Sequence, residues 1–548
     1  MYLRTTQRRN KDGSVVRYLA LAENRRHPGK GHVEARVIHS FGREDQLDRA
    51  ALQRLVGSIR RVLGEADAKG EPAAIGPLSI EQVHELGIVH LARHLWQELG
   101  LGAAVGGLLE RQGLSAPHAE ALLAMVAQRL DAPGSKLACR ERWLASVWLP
   151  EAWPVGLFQL YRAMDVLAAH GEALEAEAFW RTADLFRLEV DLVLFDSTTA
   201  WFEIEEEDEN PDEEAAGLRR RGHSKEGRDN DPQVVIALAV TREGMPVRSW
   251  VFPGNTPDVT TMKRIKADLA AMRLSRVLLV GDAGYHSRDN LAELAKAGGR
   301  YVLATPVARL KEVREAVLAR PGRYATITPA LQAKEVVVGD GERRRGYVVC
   351  RNAEEAERQR YRREALLAAL QAELTSLREA HPKAACKLLA SRRFGPYLSK
   401  DADGRPVLDR AKVARAERLD GKFVLTSNDD TLAVADIVTA YKALTVIEAS
   451  FRAMKTTGLQ LRPMFHWTPP RIVAHVRLCV LALMLRRAAE IRAGLPWARI
   501  AERLRPLKAV THTTEGRMIT QATRLTGETA ELLTKLQVPP PKALLAIG

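Results

Sequence analysis

The chain opens on short segments in which apolar and polar residues alternate, TTQRRNKDGSVVRYLALAE and HVEARVIHSFG, broken at Asp12-Gly13 and at a Gly-rich turn from Pro28 to Gly31. Alternation with period two predicts a small β-ribbon, with a helix following to about residue 65. From Ser79 a Ser-x-x-Gln capping box, Ser79 and Gln82, opens a run with the helical period. HAEALLAMVAQRL and FQLYRAMDVLAAH belong to this run, which holds to about residue 185.

The period then changes. LEVDLVLFDSTT reads as a buried strand, and PQVVIALAV and PVRSWVFPG, joined at Arg242-Glu243-Gly244, read as a hairpin. Helix TTMKRIKADLAAM, strand RVLLVGD, helix SRDNLAELAKAGG and strand RYVLAT follow. The order βββαβαβ is that of an RNase H-like core. A strand-like KEVVVGDGERRRGYVVC, a charged helix from about Glu354 to Ala380 and a polar stretch at Lys400–Gly404 then interrupt it as an insertion. The core resumes with the strand GKFVLTSN, helical sequence from about Ala433 to Lys455, and a strongly apolar helix from Pro469-Pro470 to about Ala493.

The expected division is a β-ribbon and helix in 1–78, a helical DNA-binding domain in 79–185, and the first part of an α/β core in 186–307. An insertion in 308–420, the rest of the core with a Glu-bearing helix in 421–495, and a basic helical C-terminal tail in 496–548 complete it. No internal repeat of 20 to 50 residues is visible, which excludes a solenoid.

Composition narrows the function. With 548 residues, 46% hydrophobic and 27% charged, the chain is an ordinary globular protein of several domains. Lys and Arg number 82 against 68 Asp and Glu, and an excess of this size favours a polyanionic partner. Residues 434–548 hold 17 Lys and Arg against 7 Asp and Glu, so this region is the expected nucleic-acid face. The longest apolar stretch near the C-terminus, Leu478–Leu485, is far short of the ~20 residues that span a bilayer. The opening residues lack the apolar core of a secretory signal, and the four cysteines are far apart, so a reducing cytoplasm and no membrane partner are expected. No Cys-x2-Cys or paired-His spacing points to zinc, and no Gly-x4-Gly-Lys loop points to ATP.

Two acids stand at the exits of core strands. Asp196 follows LVLF and Asp282 follows RVLLVG; the first and fourth strands of such a core are neighbours, so residues 86 apart in sequence converge. Paired carboxylates repel and raise each other's pKa, and a hard divalent cation with oxygen ligands removes that cost. Glu448 is the third candidate. Tyr441, Glu448 and Lys455 are spaced at seven and project from one stripe of a helix. Three acids, a phenol and an ammonium suit two metal ions ~3.5 to 4 Å apart, one activating the attacking oxygen and one stabilising the leaving oxygen. The reaction class is phosphodiester cleavage and transfer.

The segments LVLFDSTT, QVVIALAVTREGMPVRSWVFPGNTPD, VGDAGYHSRDNL and YKALTVIEASFRAMKTTGLQLRP resemble the DDE transposases of bacterial insertion sequences. The resemblance covers roughly residues 185–490 and is closest to the insertion sequence four superfamily, sixteen-thirty-four branch. Its Tyr-x2-Arg-x3-Glu-x6-Lys signature is met at Tyr441, Glu448 and Lys455, with Leu444 at the arginine position. The resemblance implies that Asp196, Asp282 and Glu448 form the catalytic, metal-binding triad, with two Mg²⁺ ions or Mn²⁺ in their place. It implies that Tyr441 and Lys455 touch DNA backbone, and Arg452 and Arg462 in the same segment are further candidate DNA contacts. Partners would be terminal inverted repeats and target DNA, held by a homodimer associated with the nucleoid. A metal-dependent nuclease without strand transfer and a non-enzymatic DNA-binding descendant are the alternatives.

Other features admit two readings. Glu448 could simply pair with Arg452 one helical turn on. The acidic run Glu203–Glu214 is expected to be a solvated loop. The basic clusters Arg219–Arg221, Arg343–Arg345 and Arg360–Arg363 track phosphates or lie on plain surface. His223, Ser224 and Lys225 either approach the active face or form a loop, and Trp201, Phe465 and Trp467 either stack an extruded base or are buried, burial being expected.

Overall fold

A computed structural model describes all residues except 11–13, 27–32, 64–78, 112, 114–116, 209–216, 308–309, 340–344, 378–381, 457 and 515–516. The Asp12-Gly13 break, the Pro28–Gly31 turn, the end of the acidic run and Arg343–Arg344 lie outside the described residues. The chain forms two compact units.

The first unit is Met1–Ser79 with Thr513–Gly516. Strands β1 (Tyr2–Arg9), β2 (Val15–Arg26) and β3 (Val33–Arg43) form an antiparallel sheet in that order, and α1 (Arg49–Val62) follows. The period-two pattern is realised in a register running from Tyr2 opposite Ala22 to Arg9 opposite Val15.

The second unit comprises Ile80–His512 and Arg517–Gly548. It begins with β4 (Ser79–Glu85), α2 (Gly87–Glu98), α3 (Leu101–Arg111), α4 (His118–Asp131), single turns α5 (Lys136–Ala138) and α6 (Leu144–Ser146), and the long α7 (Leu157–Leu185). β5 (Leu192–Trp201), β6 (Gln233–Thr241), β7 (Pro246–Pro253), α8 (Asp258–Ala271), β8 (Leu278–Gly281), α9 (Arg288–Ala295) and β9 (Arg300–Thr305) come next. Then follow β10 (Ala325–Thr328), β11 (Leu331–Val338), β12 (Arg345–Asn352), α10 (Ala353–Ser376), α11 (Pro382–Ala390), β13 (Leu398–Lys400), β14 (Pro406–Leu408), α12 (Arg410–Glu417) and β15 (Lys422–Ser427). The chain ends with α13 (Val434–Lys442), α14 (Leu444–Lys455), α15 (Pro469–Ala493), α16 (Trp497–Leu504), β16 (Lys508–Thr514), β17 (Arg517–Ala522), α17 (Gly527–Leu536) and β18 (Leu544–Ile547).

The fold is mixed α/β around a nine-stranded sheet of order β10-β11-β12-β15-β9-β8-β5-β6-β7. The parallel pairs are β5–β8 and β8–β9, and the hairpin partners β6 and β7 are antiparallel. Strand β6 is buried along its whole length, as its unbroken QVVIALAVT requires. The apolar α15 starts on Pro469 and Pro470, ends at a left-handed Gly494, and is buried along its length because it packs against α7, α4 and β7.

Four expectations are corrected here. Ser79 and Gln82 form no capping box; SIEQVHE becomes β4 and joins β16, β17 and β18 in a four-stranded sheet. Residues 496–548 are therefore not a helical tail but helices and strands built into that sheet. The segment 308–420 is not wholly set apart: β11 and β12 pair with each other, and β12 with β15, so they extend the central sheet. The helix expected from 433 to 455 is divided at Ala443, where the turn tightens and the Ala443 N–H reaches both Thr439 O and Tyr441 O. Among the described residues no helix is long and apolar enough to cross a membrane.

The basic C-terminal region is also less free than its composition suggests. Arg471 pairs with Asp165, Arg477 with Glu172, Arg492 with Glu98, and Lys508 with Glu85, while Arg486 and Arg487 both reach Glu490. Arg471, Arg477 and Arg492 thus tie α15 to α7 and α2, Lys508 ties β16 to β4, and Arg486 and Arg487 are met within α15, so these charges do not form an open face.

Candidate active site

β5 lies against β8 only through Leu192–Leu194, paired with Leu278–Val280. β8 stops at Gly281, where a Cβ would come within 2.4 Å of the Phe195 ring, so only glycine fits. Asp282 follows at once, exposed, as the N-cap of a single 3-10 turn. Asp196 is in the middle of β5 rather than at its end, because β6 pairs it as far as Trp201. Continuing the register by two residues brings Asp196 level with Asp282, past the end of β8.

The surroundings of Asp196 are acidic and close. Burial pushes its carboxyl up to about 6; Lys225 opposes this, and the charges of Asp282 and Asp258 add to it. Asp258, first residue of α8, accepts a hydrogen bond from Ser197 Oγ. The Lys225 ammonium lies 3.1 Å from Asp258 and 3.6 Å from Asp196, and donates to Ser197 O at 2.7 Å and Ser197 Oγ at 2.9 Å. The fully buried Tyr285 phenol is pushed up by burial and by Asp196, Asp258 and Asp282, with its ring edge-on to Phe195.

The helical residues approach from α13 and α14. Tyr441 stacks on Phe423 at 5.6 Å. Burial, then the charges of Asp282 and Glu448, and after them Asp196, push its phenol up to about 12. All three acids therefore lie within electrostatic range of one hydroxyl, although Tyr441 and Glu448 sit on different helices. Glu448 itself is exposed on α14, which packs against β5. Leu444 starts α14 and is buried in the core, so the arginine position of the signature points inward.

Lys455 is half-buried at the end of α14 and donates to Thr198 Oγ1 at 2.5 Å, Thr199 O at 2.6 Å and Glu226 at 2.6 Å. Burial lowers its pKa against the pull of Glu226. Arg462 meets the same carboxylate at 2.8 Å and lies over the Trp201 ring at 5.0 Å. Arg452 is exposed in the last turn of α14.

Several outcomes differ from expectation. The described part of the acidic run is not a free solvated loop: Asp208 pairs with Arg219 and Glu207 with Arg220, and Arg221 donates to the Glu205 carbonyl. Arg219 and Arg220 are thereby neutralised, whereas the Arg221 guanidinium is held by backbone carbonyls. Arg363 is buried against Asp420, which removes it from any phosphate track. His223 stays in solvent near Asp229, whereas its neighbour Lys225 enters the site. Phe465 and Trp467 are not buried but 62% and 66% exposed, on the rim of a cavity of about 570 Å³ that Trp201, Lys455 and Arg462 also line.

As side chains stand, no group of three His, Cys, Asp or Glu among the described residues is assembled to hold a metal ion. The chemistry of the donors nevertheless suits a hard divalent cation: carboxylate oxygens, with an ammonium already serving as counter-charge between Asp196 and Asp258. Of the two readings open for His223, Ser224 and Lys225, the approach to the active face holds for Lys225. Asp258 and Glu226 carry no such signal in the sequence beyond the position of Asp258 within NTPD at a helix start.

Comparison with curated proteins finds no match. Among solved structures the chain is similar to a piggyBac transposase synaptic complex with hairpin DNA, at 9% identity and a TM-score of 0.34, covering 76% of this chain and 78% of that one. Residues 3–72 match the profile described as the IS1634 family transposase N-terminal domain. Residues 189–485, more than half of the chain and the whole of the site just described, match the transposase DDE domain. The chain belongs to the DDE transposases, in their IS1634 branch.

Proposed function

We propose that this protein is a DNA transposase that binds the terminal inverted repeats of its element, cuts their ends and transfers the freed strands to target DNA. The observation that carries the reading is the β5–β8 register, which carries Asp196 level with Asp282 at the open end of β8, with Glu448 on the helix α14 that packs against β5. On this reading the core is RNase H-like and Asp196, Asp282 and Glu448 hold the catalytic divalent cations, Mg²⁺ or Mn²⁺. When bound, Mg²⁺ supplies Lewis-acid stabilisation of the charge that develops on the phosphodiester oxygens.

The chain's own residues then have separate tasks. Lys455, held by Thr198 and Thr199 beside Asp196, offers positive charge to the DNA backbone, and Arg462 offers a planar guanidinium next to it. Tyr441 stays protonated at neutral pH and acts as a hydrogen-bond donor rather than as a base. Both element ends must be cut and joined together, which a homodimer on DNA accomplishes most simply.

The test is incubation of the protein with DNA carrying the element ends and Mg²⁺, with mapping of cut positions and joined products. Cleavage at the ends and joining of pre-cut ends are expected. Cutting without joining reduces the protein to a nuclease, and binding without either step reduces it to a DNA-binding protein.

A further inference from the structure

Two neighbouring residues of one loop occupy both halves of the proposed site. Lys225 places its ammonium between Asp196 and Asp258, where the acids call for a cation. Glu226 places its carboxylate between Lys455 at 2.6 Å and Arg462 at 2.8 Å, and accepts from Trp201 Nε1 at 3.2 Å, where the cations call for an anion. The loop is held by a small polar turn: Ser224 N–H donates to Asp229 at 2.7 Å, Glu226 N–H to Ser224 Oγ at 3.2 Å, and Gly227 takes φ +73°.

We propose that Lys225 and Glu226 form an internal plug, a cation and an anion that stand in for the metal and for a DNA phosphodiester, so that DNA binds by displacing both. The inference rests on the transposase reading above. Three physical points support it. A carboxylate and a phosphodiester each carry one negative charge, so the exchange at Lys455 and Arg462 conserves charge. The Arg462 guanidinium is incompletely met by Glu226: its Nε and Nη1 are buried with no hydrogen-bond partner among the described residues. Leaving buried donors unmet is costly, and a tetrahedral phosphate presents acceptors in more directions than a planar carboxylate does. Finally, the two stand-ins are adjacent in sequence, so one displacement of the loop opens both positions together.

The experiment measures binding, not turnover. Anisotropy of a labelled duplex is recorded with chelator present, for the wild type, Glu226→Gln and Glu226→Ala, with melting temperatures as a folding control. Relief of the plug tightens duplex binding by about tenfold and steepens the salt dependence of log K by about one. Folded variants that bind duplex no more tightly than the wild type overturn the anion half. Calorimetry with Mn²⁺ and no DNA tests the other half: Lys225→Met binds Mn²⁺ about tenfold more tightly than the wild type. Equal or weaker Mn²⁺ binding by folded Lys225→Met overturns the cation half. Wild type that cuts element ends while all variants keep wild-type affinities overturns the plug alone. Wild type that binds no duplex overturns the transposase reading and the plug with it.

Discussion

Asp196 and Asp282 are level with one another across a parallel pair that has just ended. The β5–β8 register sets Leu192 against Leu278 and Leu194 against Val280, and the same offset carries Asp196 to Asp282. One aspartate is still inside a paired strand while the other has left the sheet, so the first is half-buried and the second exposed. On the proposed reading Asp282→Asn abolishes end cleavage and strand joining by roughly a hundred- to a thousandfold or more, since a charged contact to the reacting centre is lost. An exposed site of this kind costs within about 0.5 kcal/mol of stability. Gel assays of cutting, with anisotropy for end binding, check it; retained cleavage removes Asp282 from the mechanism.

Burial and then the charges of Asp282, Glu448 and Asp196 raise the Tyr441 phenol, and its ring is supported by Phe423. Tyr441→Phe keeps the ring and removes only the donor. A hydrogen bond to a charged phosphate oxygen is worth about 1.5 to 3 kcal/mol, so cleavage should fall roughly ten- to a hundredfold with the melting temperature unchanged. Single-turnover cleavage rates and thermal melts decide the matter, and a rate equal to the wild type would exclude the phenol from the reaction.

Leu444 stands where the signature has an arginine, yet its side chain is buried at the start of α14 beside Ile447 and Phe451 in the same core. Restoring the arginine would bury a guanidinium in an apolar pocket. Leu444→Arg is therefore expected to destabilise the protein by ~2 to 4 kcal/mol without strengthening duplex binding. Denaturant unfolding and anisotropy test this together. Unchanged stability with tighter binding would mean that the side chain can turn outward and supply the missing phosphate contact.

The parts of this fold legible in the sequence are those whose own pattern decides them. LVLF and QVVIALAV are apolar on both faces and form the start of β5 and most of β6, and the change of period after Gly254 marks α8, β8 and α9. The adjacency of Asp196 and Asp282 follows from that element order. What escaped depends on partners remote in the chain. β4 reads as a helix start in the sequence because its sheet partner β16 lies more than 400 residues away. The Arg219–Arg221 cluster and the acidic run read as separate features in the sequence, although Arg219 and Arg220 pair with Asp208 and Glu207 across an intervening stretch. Lys225 reads in the sequence only as part of a loop that either approaches the active face or does not, and Glu226 carries no signal there; the contacts to Asp196, Asp258, Lys455 and Arg462 decide both.

A last prediction concerns the buried cluster behind the Arg462 segment. Arg129 donates to Gln460 O at 3.0 Å and Leu459 O at 3.3 Å, His475 Nε2 lies 3.1 Å from Leu461 O, and Lys136 Nζ lies 3.2 Å from His475 Nδ1. Burial, helped by the charge of Arg129, lowers Lys136 to about 7, and burial keeps His475 neutral well below its usual range. Folded Lys136 thus releases its proton near pH 7, whereas in the unfolded chain it does so at its ordinary value of 10.5. Between those limits the unfolded chain holds the extra proton, so stability from this group rises with pH. Below about pH 7 the cost of the buried ammonium is present in full, on the order of a few kcal/mol. Lys136→Met keeps the volume, removes the charge and leaves His475 Nδ1 without its partner at every pH. The melting temperature of Lys136→Met relative to the wild type should therefore be highest near pH 6 and fall steadily toward about pH 9, while all other titrations cancel in the difference. A difference that stays constant across that range would show that Lys136 does not titrate there.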